Sequence, residues 1–128
     1  MKIHDLSGAI ELSDVSQIAD RLRSVRNGTH GVCYIAGDAN YPYVAVHFNG
    51  DVAYLHYFPS DDHPGFQPFG MTPANCADSV HFLNIDGLDG GAFDMPASTL
   101  VDANTAVSAV LEFVANQVMP ESVNWFEL

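Results

Sequence analysis

The chain has 128 residues, 48% of them hydrophobic, two cysteines and a formal net charge of −12. That is the length of one domain, residues 1–128, able to bury roughly two-thirds of its unfolded surface without a disulfide or metal to hold it. All four basic residues (Lys2, Arg21, Arg23 and Arg26) lie in the first 26 positions, and from Asn27 to Leu128 there are twelve acids and no Lys or Arg. Neutralising phosphate takes Lys and Arg, so the charge argues against nucleic acid and anionic membranes as partners. A basic protein surface would instead be attracted, and its association accelerated. No apolar run approaches the ~18 residues of a membrane span. The first five residues include Asp5 and no apolar leader, which makes the cytoplasm the expected compartment.

In chain order, residues 3–12 read as a first strand broken near Ser7-Gly8. Ser13 or Asp14 caps a helix, with Gln17 three residues after Asp14 in a capping-box arrangement. Val15, Ile18, Ala19, Leu22 and Val25 form its apolar stripe, and Arg21, Arg23 and Arg26 complement its dipole. Asn27-Gly28 ends it. A strand over 32–36 and a turn over 37–40 lead to the strongest local signal, two alternating apolar runs around Asn49-Gly50. A type I′ turn there would set Phe48 opposite Asp51, Val46 opposite Ala53 and Val44 opposite Leu55. Val44, Val46, Ala53, Leu55 and Tyr57 would then share a core face, leaving Tyr43, Ala45, His47, Val52, Tyr54 and His56 on a partly covered one.

Pro59 to Asp78, rich in Pro and Gly, reads as a loop of twenty residues, a length that is often functional. Strands over 79–85 and 92–95 flank an acidic Gly-rich turn containing Asp86 and Asp89. Asp102 caps a second helix with a stripe of Ala106, Val107, Val110, Leu111, Val114 and Val118, stopped by Pro120. Residues 122–128 alternate and read as a closing strand or an extended tail. The order β-α-β-β-β-β-β-α-β describes an α+β domain: an antiparallel sheet of about five to seven strands with two packed amphipathic helices.

The six histidines have no HxH, HExxH or helical i, i+4 spacing, so no metal ligand set is read from them, and no cofactor motif is present. Cys33 in an apolar run and Cys76 in a loop read as unpaired thiols. The carboxylates form no catalytic pair, and no G-x-S-x-G or phosphate-binding loop occurs, so no enzymatic activity is expected. One alternative uses His47, His56 and Tyr54 on the second hairpin face as a small-molecule or hydrolytic site. The stronger pattern is in the long loop, where Asp61, Asp62 and His63 stand beside Phe66, Phe69 and Met71. Apolar anchors ringed by charge are how protein-binding surfaces are built.

The run Tyr57-Phe58-Pro59 followed by His63-Pro64-Gly65-Phe66 and the ending Pro120-Glu121-Ser122-Val123-Asn124-Trp125-Phe126-Glu127-Leu128 carry a resemblance over nearly the whole chain. They are similar to bacterial immunity proteins of polymorphic toxin systems, in the family that includes the immunity protein to the double-stranded-DNA cytidine deaminase toxin. Met119 departs from the arginine usual before that proline. The resemblance implies a cytoplasmic protein that binds a cognate secreted toxin, a deaminase or nuclease, and occludes its basic active site. On that reading Asp61, Asp62, His63, Phe66 and Phe69, with Asp86 and Asp89, form the inhibitory face.

Overall fold

The structure, a computed structural model, describes residues 1–27, 30–84 and 91–128. Its centre is the hairpin of β4 (Tyr43–Asn49) and β5 (Val52–Phe58). The turn is one residue later than the Asn-Gly dipeptide implied: Asn49 pairs with Val52, leaving Gly50 and Asp51 as the loop. Only Gly50, at φ 59°, takes a positive φ there, the pattern of a II′ rather than a I′ turn. Each expected pairing therefore slips by two residues, so that Val46 faces Leu55 and Val44 faces Tyr57. A slip of two leaves the faces unchanged, because side chains alternate with period two.

Around this hairpin the main sheet takes the order β10-β6-β5-β4-β3-β1-β2, with β9 also paired to β5, and every pairing is antiparallel. The expected first strand is itself a hairpin, β1 (Lys2–Asp5) and β2 (Gly8–Glu11), turned where Gly8 adopts φ 118°. β3 (His30–Ala36) joins it to β4. The expected structureless loop after Phe58 is interrupted by β6 (Phe66–Pro68), which holds the C-terminal β10 (Trp125–Glu127) at the sheet edge. β7 (Ser79–Phe82) and β8 (Phe93–Pro96) do not join the main sheet and form a separate hairpin. β9 (Val101–Asp102), unforeseen in the sequence, adds a short rung beside Val52 and Ala53. The strands thus exceed the expected five to seven, but the α+β class stands.

Both helices cover one face of the sheet. Asp14 caps α1 (Val15–Arg26), accepting a hydrogen bond from Ser16 N, and Ile18, Ala19 and Leu22 form the buried stripe. Val15, assigned to the same stripe, is exposed on the first turn. Asp102 caps α2 (Ala103–Asn116), accepting from Thr105 N. Its buried residues are Ala103, Ala106, Ala109, Val110, Phe113 and Val114. The helix ends at Gln117, which takes a left-handed cap with φ 53°, before Pro120 can stop it, and Val118 consequently lies outside the stripe and exposed. Phe48, Leu55, Ile35, Leu22 and Phe113 are fully buried between sheet and helices. Each such side chain contributes about 1.5–3 kcal/mol relative to exposure.

The core also contains one ion pair. Asp5, 4% exposed, accepts from Arg21 Nε at 2.5 Å and Nη2 at 3.1 Å, and also from Ser7 N at 2.8 Å. Arg21 therefore does more than complement the helix dipole: it neutralises a buried carboxylate and ties α1 to β1, a pairing costly to break from either side. Cys33 and Cys76 are both free thiols, and burial first, then Asp5, pushes Cys33 up to about 12. It is an inert core residue.

Candidate functional site

The segment Pro59 to Gly65 leaves the end of β5 and is held on two sides. His56 Nε2 donates to Pro64 O at 2.8 Å, and Leu128 N donates to Gly65 O at 2.9 Å. Gly65, at φ 101°, passes against the His56 ring, where a Cβ would have no room. His63 Nδ1 accepts from Gly65 N at 2.8 Å, so its Nε2 carries the proton and donates to Glu127 at 2.7 Å. Asp61 and Asp62 stand exposed on this clamped loop. The Ser60 hydroxyl, donating to Asp62 at 2.6 Å, is the main cause holding that carboxyl below its usual range, helped by its own backbone N–H.

The apolar members of the expected face divide. Phe66 departs from the role of an exposed anchor, because it opposes Tyr57 on the helix side, packs on the core and stacks under His63 at 5.0 Å. Phe69 is 53% exposed and meets Phe126, equally exposed, at 5.9 Å. Alternation along 122–128 was the sequence signal for Phe126, since Val123 turns inward and Phe126 and Leu128 outward. Glu127, a solvent-exposed acid near the C-terminus, is also the partner of His63. Asp86 and Asp89 lie outside the described residues.

His47, Tyr54 and His56 are brought together on the sheet face opposite the helices. They line a cleft of about 360 Å³ with Tyr34, Tyr43 and Phe58, partly roofed by Phe93 and Met95 of the β7–β8 hairpin. Its floor is Ala45, whose cross-strand partners are Tyr34 and His56 and whose neighbours along β4 on that face are Tyr43 and His47. Phe58 stacks on Tyr43 at 4.5 Å and on His56 at 3.9 Å. His47 Nδ1 donates to Leu83 O at 3.0 Å, and burial first, then the charge His56 would carry, lowers its pKa to about 4 against the bond to Leu83. Burial lowers His56 as well. Both imidazoles are neutral at pH 7, each with an N–H committed to a carbonyl, and their ring neighbours are aromatic. Among the described residues the cleft is lined by aromatic rings together with Asn84, Gly91 and Met95, and these residues form no acid–base pair with a nucleophile. Among the described residues, no three His, Cys, Asp or Glu side chains are grouped to hold a metal ion.

The charge asymmetry of the sequence is sharpened in space. Arg21 is bound to Asp5, Arg23 to Asp20, Arg26 to Asn104 Oδ1, and Lys2 Nζ donates to Asp38 O. Every basic side chain is thus engaged within the chain, leaving the sheet face and its loops to the acids. Among the described residues, no helix is long and apolar enough to cross a membrane. Such an arrangement defines an α+β scaffold that displays an acidic loop, an exposed aromatic pair and an aromatic cleft on its helix-free side. The chain belongs to the Imm1 family of immunity proteins, whose family model matches residues 7–127. No curated protein matches it. Membership supports a role in toxin immunity and a toxin as partner.

Proposed function

We propose that the protein neutralises its toxin by stoichiometric binding in the cytoplasm, without catalysis, covering a basic active site that acts on nucleic acid. Asp61 and Asp62 would occupy phosphate-binding positions, with Phe69 and Phe126 as apolar anchors beside them, His63 holding the loop and Phe66 supporting it. The carrying observation is that two exposed carboxylates sit on a loop clamped by His56 and Leu128, next to an exposed aromatic pair, in a region with no basic side chain. A preorganised acidic loop loses little entropy on binding and steers a basic partner.

The test is calorimetric titration of the protein with the toxin encoded beside its gene. The wild-type chain should bind one to one, and an Asp61→Lys/Asp62→Lys variant should bind at least tenfold more weakly, chiefly through a slower on-rate. Unchanged affinity in that variant would remove the loop from the interface.

A further inference from the structure

We infer that the outer edge of β10 is where an extended segment of the toxin adds as a further antiparallel strand, an assignment that rests on the immunity reading and extends it from charge steering to a defined mode of docking. β10 ends the main sheet, with β6 as its one neighbour. Phe69 N donates to Asn124 O at 3.0 Å and Leu128 N donates to Gly65 O at 2.9 Å, so residues 124, 126 and 128 turn their backbone groups toward β6. Alternation along an antiparallel strand then aims the N–H and C=O of Trp125 and Glu127 away from the sheet. Among the described residues these groups have no backbone partner. Such a row of unpaired groups on an edge strand is a template for pairing with another chain.

The surroundings of this edge select the occupant. Glu127 is exposed on it and bonded to His63 of the loop that carries Asp61 and Asp62. All four basic residues lie on α1 and on β1, which stands next to the opposite edge of the sheet. A basic segment is therefore favoured, whereas a second copy would bring two acidic edges together. A strand bonded to Trp125 and Glu127 places one residue opposite each of them and a third, between those two, opposite Phe126. Cross-strand partners share a face of the sheet. The residue opposite Glu127 meets its carboxylate, which calls for Lys or Arg. Phe126 pairs with Gln67, which accepts from Tyr54 on the helix-free face, so the middle residue lands there beside Phe126 and Phe69, each 53% exposed. An apolar side chain suits that place. The occupant is thus a strand of the toxin in which a basic residue directly adjoins an apolar one.

The experiment follows amide hydrogen exchange in the full chain, free and bound to the toxin encoded beside its gene. The Trp125 and Glu127 amides should exchange rapidly in the free protein and at least about tenfold more slowly in the complex, while the Leu128 amide, bonded to Gly65, is protected in both. A pair of variants gives a second readout. Glu127→Ala and Glu127→Pro both lose the carboxylate, but only the proline loses the outward N–H, and it breaks no bond to β6. The proline variant should bind the toxin about tenfold more weakly than the alanine variant, the worth of one buried backbone hydrogen bond. The exchange measurement uses the unaltered chain, so its result does not depend on how well the proline variant folds. Unslowed exchange at Trp125 and Glu127 in the formed complex, or equal affinity of the two folded variants, would overturn the assignment. So would slowing confined to Ala9 and Glu11, whose amides face outward from β2 at the other edge. Slowing at Trp125 and Glu127 in the free protein as its concentration rises would overturn it too, by making the occupant a second copy. Failure of the wild-type chain to bind the toxin would overturn the immunity mechanism instead, which keeps the two readings separable.

Discussion

His47 shows how one buried side chain converts pH into stability. Its ring is 5% exposed and its pKa falls to about 4, with burial the largest cause. Above the ordinary histidine value near 6.5 both folded and unfolded chains are neutral there. Between that value and about 4 only the unfolded chain takes up a proton, so stability declines as pH falls through this window. The expected loss by pH 4 is on the order of 3 kcal/mol, with His56 adding in the same direction. Urea unfolding at pH 7 and pH 4.5 checks this. His47→Asn, which can still donate to Leu83 O, should flatten the difference between the two curves.

Among the elements, β10 depends most on distant support. It has three residues and one neighbour, β6. Glu112 on α2 gathers the turn that feeds it, accepting from Glu121 N at 2.8 Å and Ser122 Oγ at 2.8 Å, and these bonds hold its carboxyl below the usual range. Trp125 Nε1 then donates to Pro120 O at 2.7 Å. Glu112→Gln keeps the shape and removes the charge that strengthens these bonds. The Leu128 amide and Trp125 indole N–H should then exchange with solvent roughly tenfold faster, while amides of β4 and β5 stay as protected as before. Since Phe126, Glu127 and Leu128 all belong to the candidate surface, the same variant should loosen toxin binding without touching the toxin.

For the whole molecule the decisive quantity is where the charge lies. Residues 1–26 hold four acids and four basic residues, so the formal −12 belongs entirely to the remainder of the chain. A basic toxin should therefore associate rapidly at low ionic strength. Its on-rate should fall by about an order of magnitude or more between roughly 0.01 M and 0.15 M salt, as the Debye length shrinks from about 30 Å to 8 Å. Stopped-flow mixing at several salt concentrations measures this directly. The off-rate should change far less, because it reports the close contacts of the formed complex rather than the long-range attraction.

What the sequence alone determined is what local chemistry dictates. Alternation separated the two faces of β4 and β5 correctly even though the turn register was off, because a shift of two conserves side-chain direction. Asp14 and Asp102 marked both helix starts because a capping side chain needs only its own next turn. The acids of the 59–65 loop were visible, as was the family they resemble. Tertiary structure decided the rest. β6 and β9 have two or three residues each and exist only because β5 and β10 offer them hydrogen bonds. Arg21 finds Asp5 sixteen residues away, His63 finds Glu127 sixty-four away, and Phe66 turns inward because Tyr57 lies opposite it. The aromatic cleft above Ala45 draws its walls from three strands, and cross-strand register, a non-local property, is what sets those rings around one methyl group.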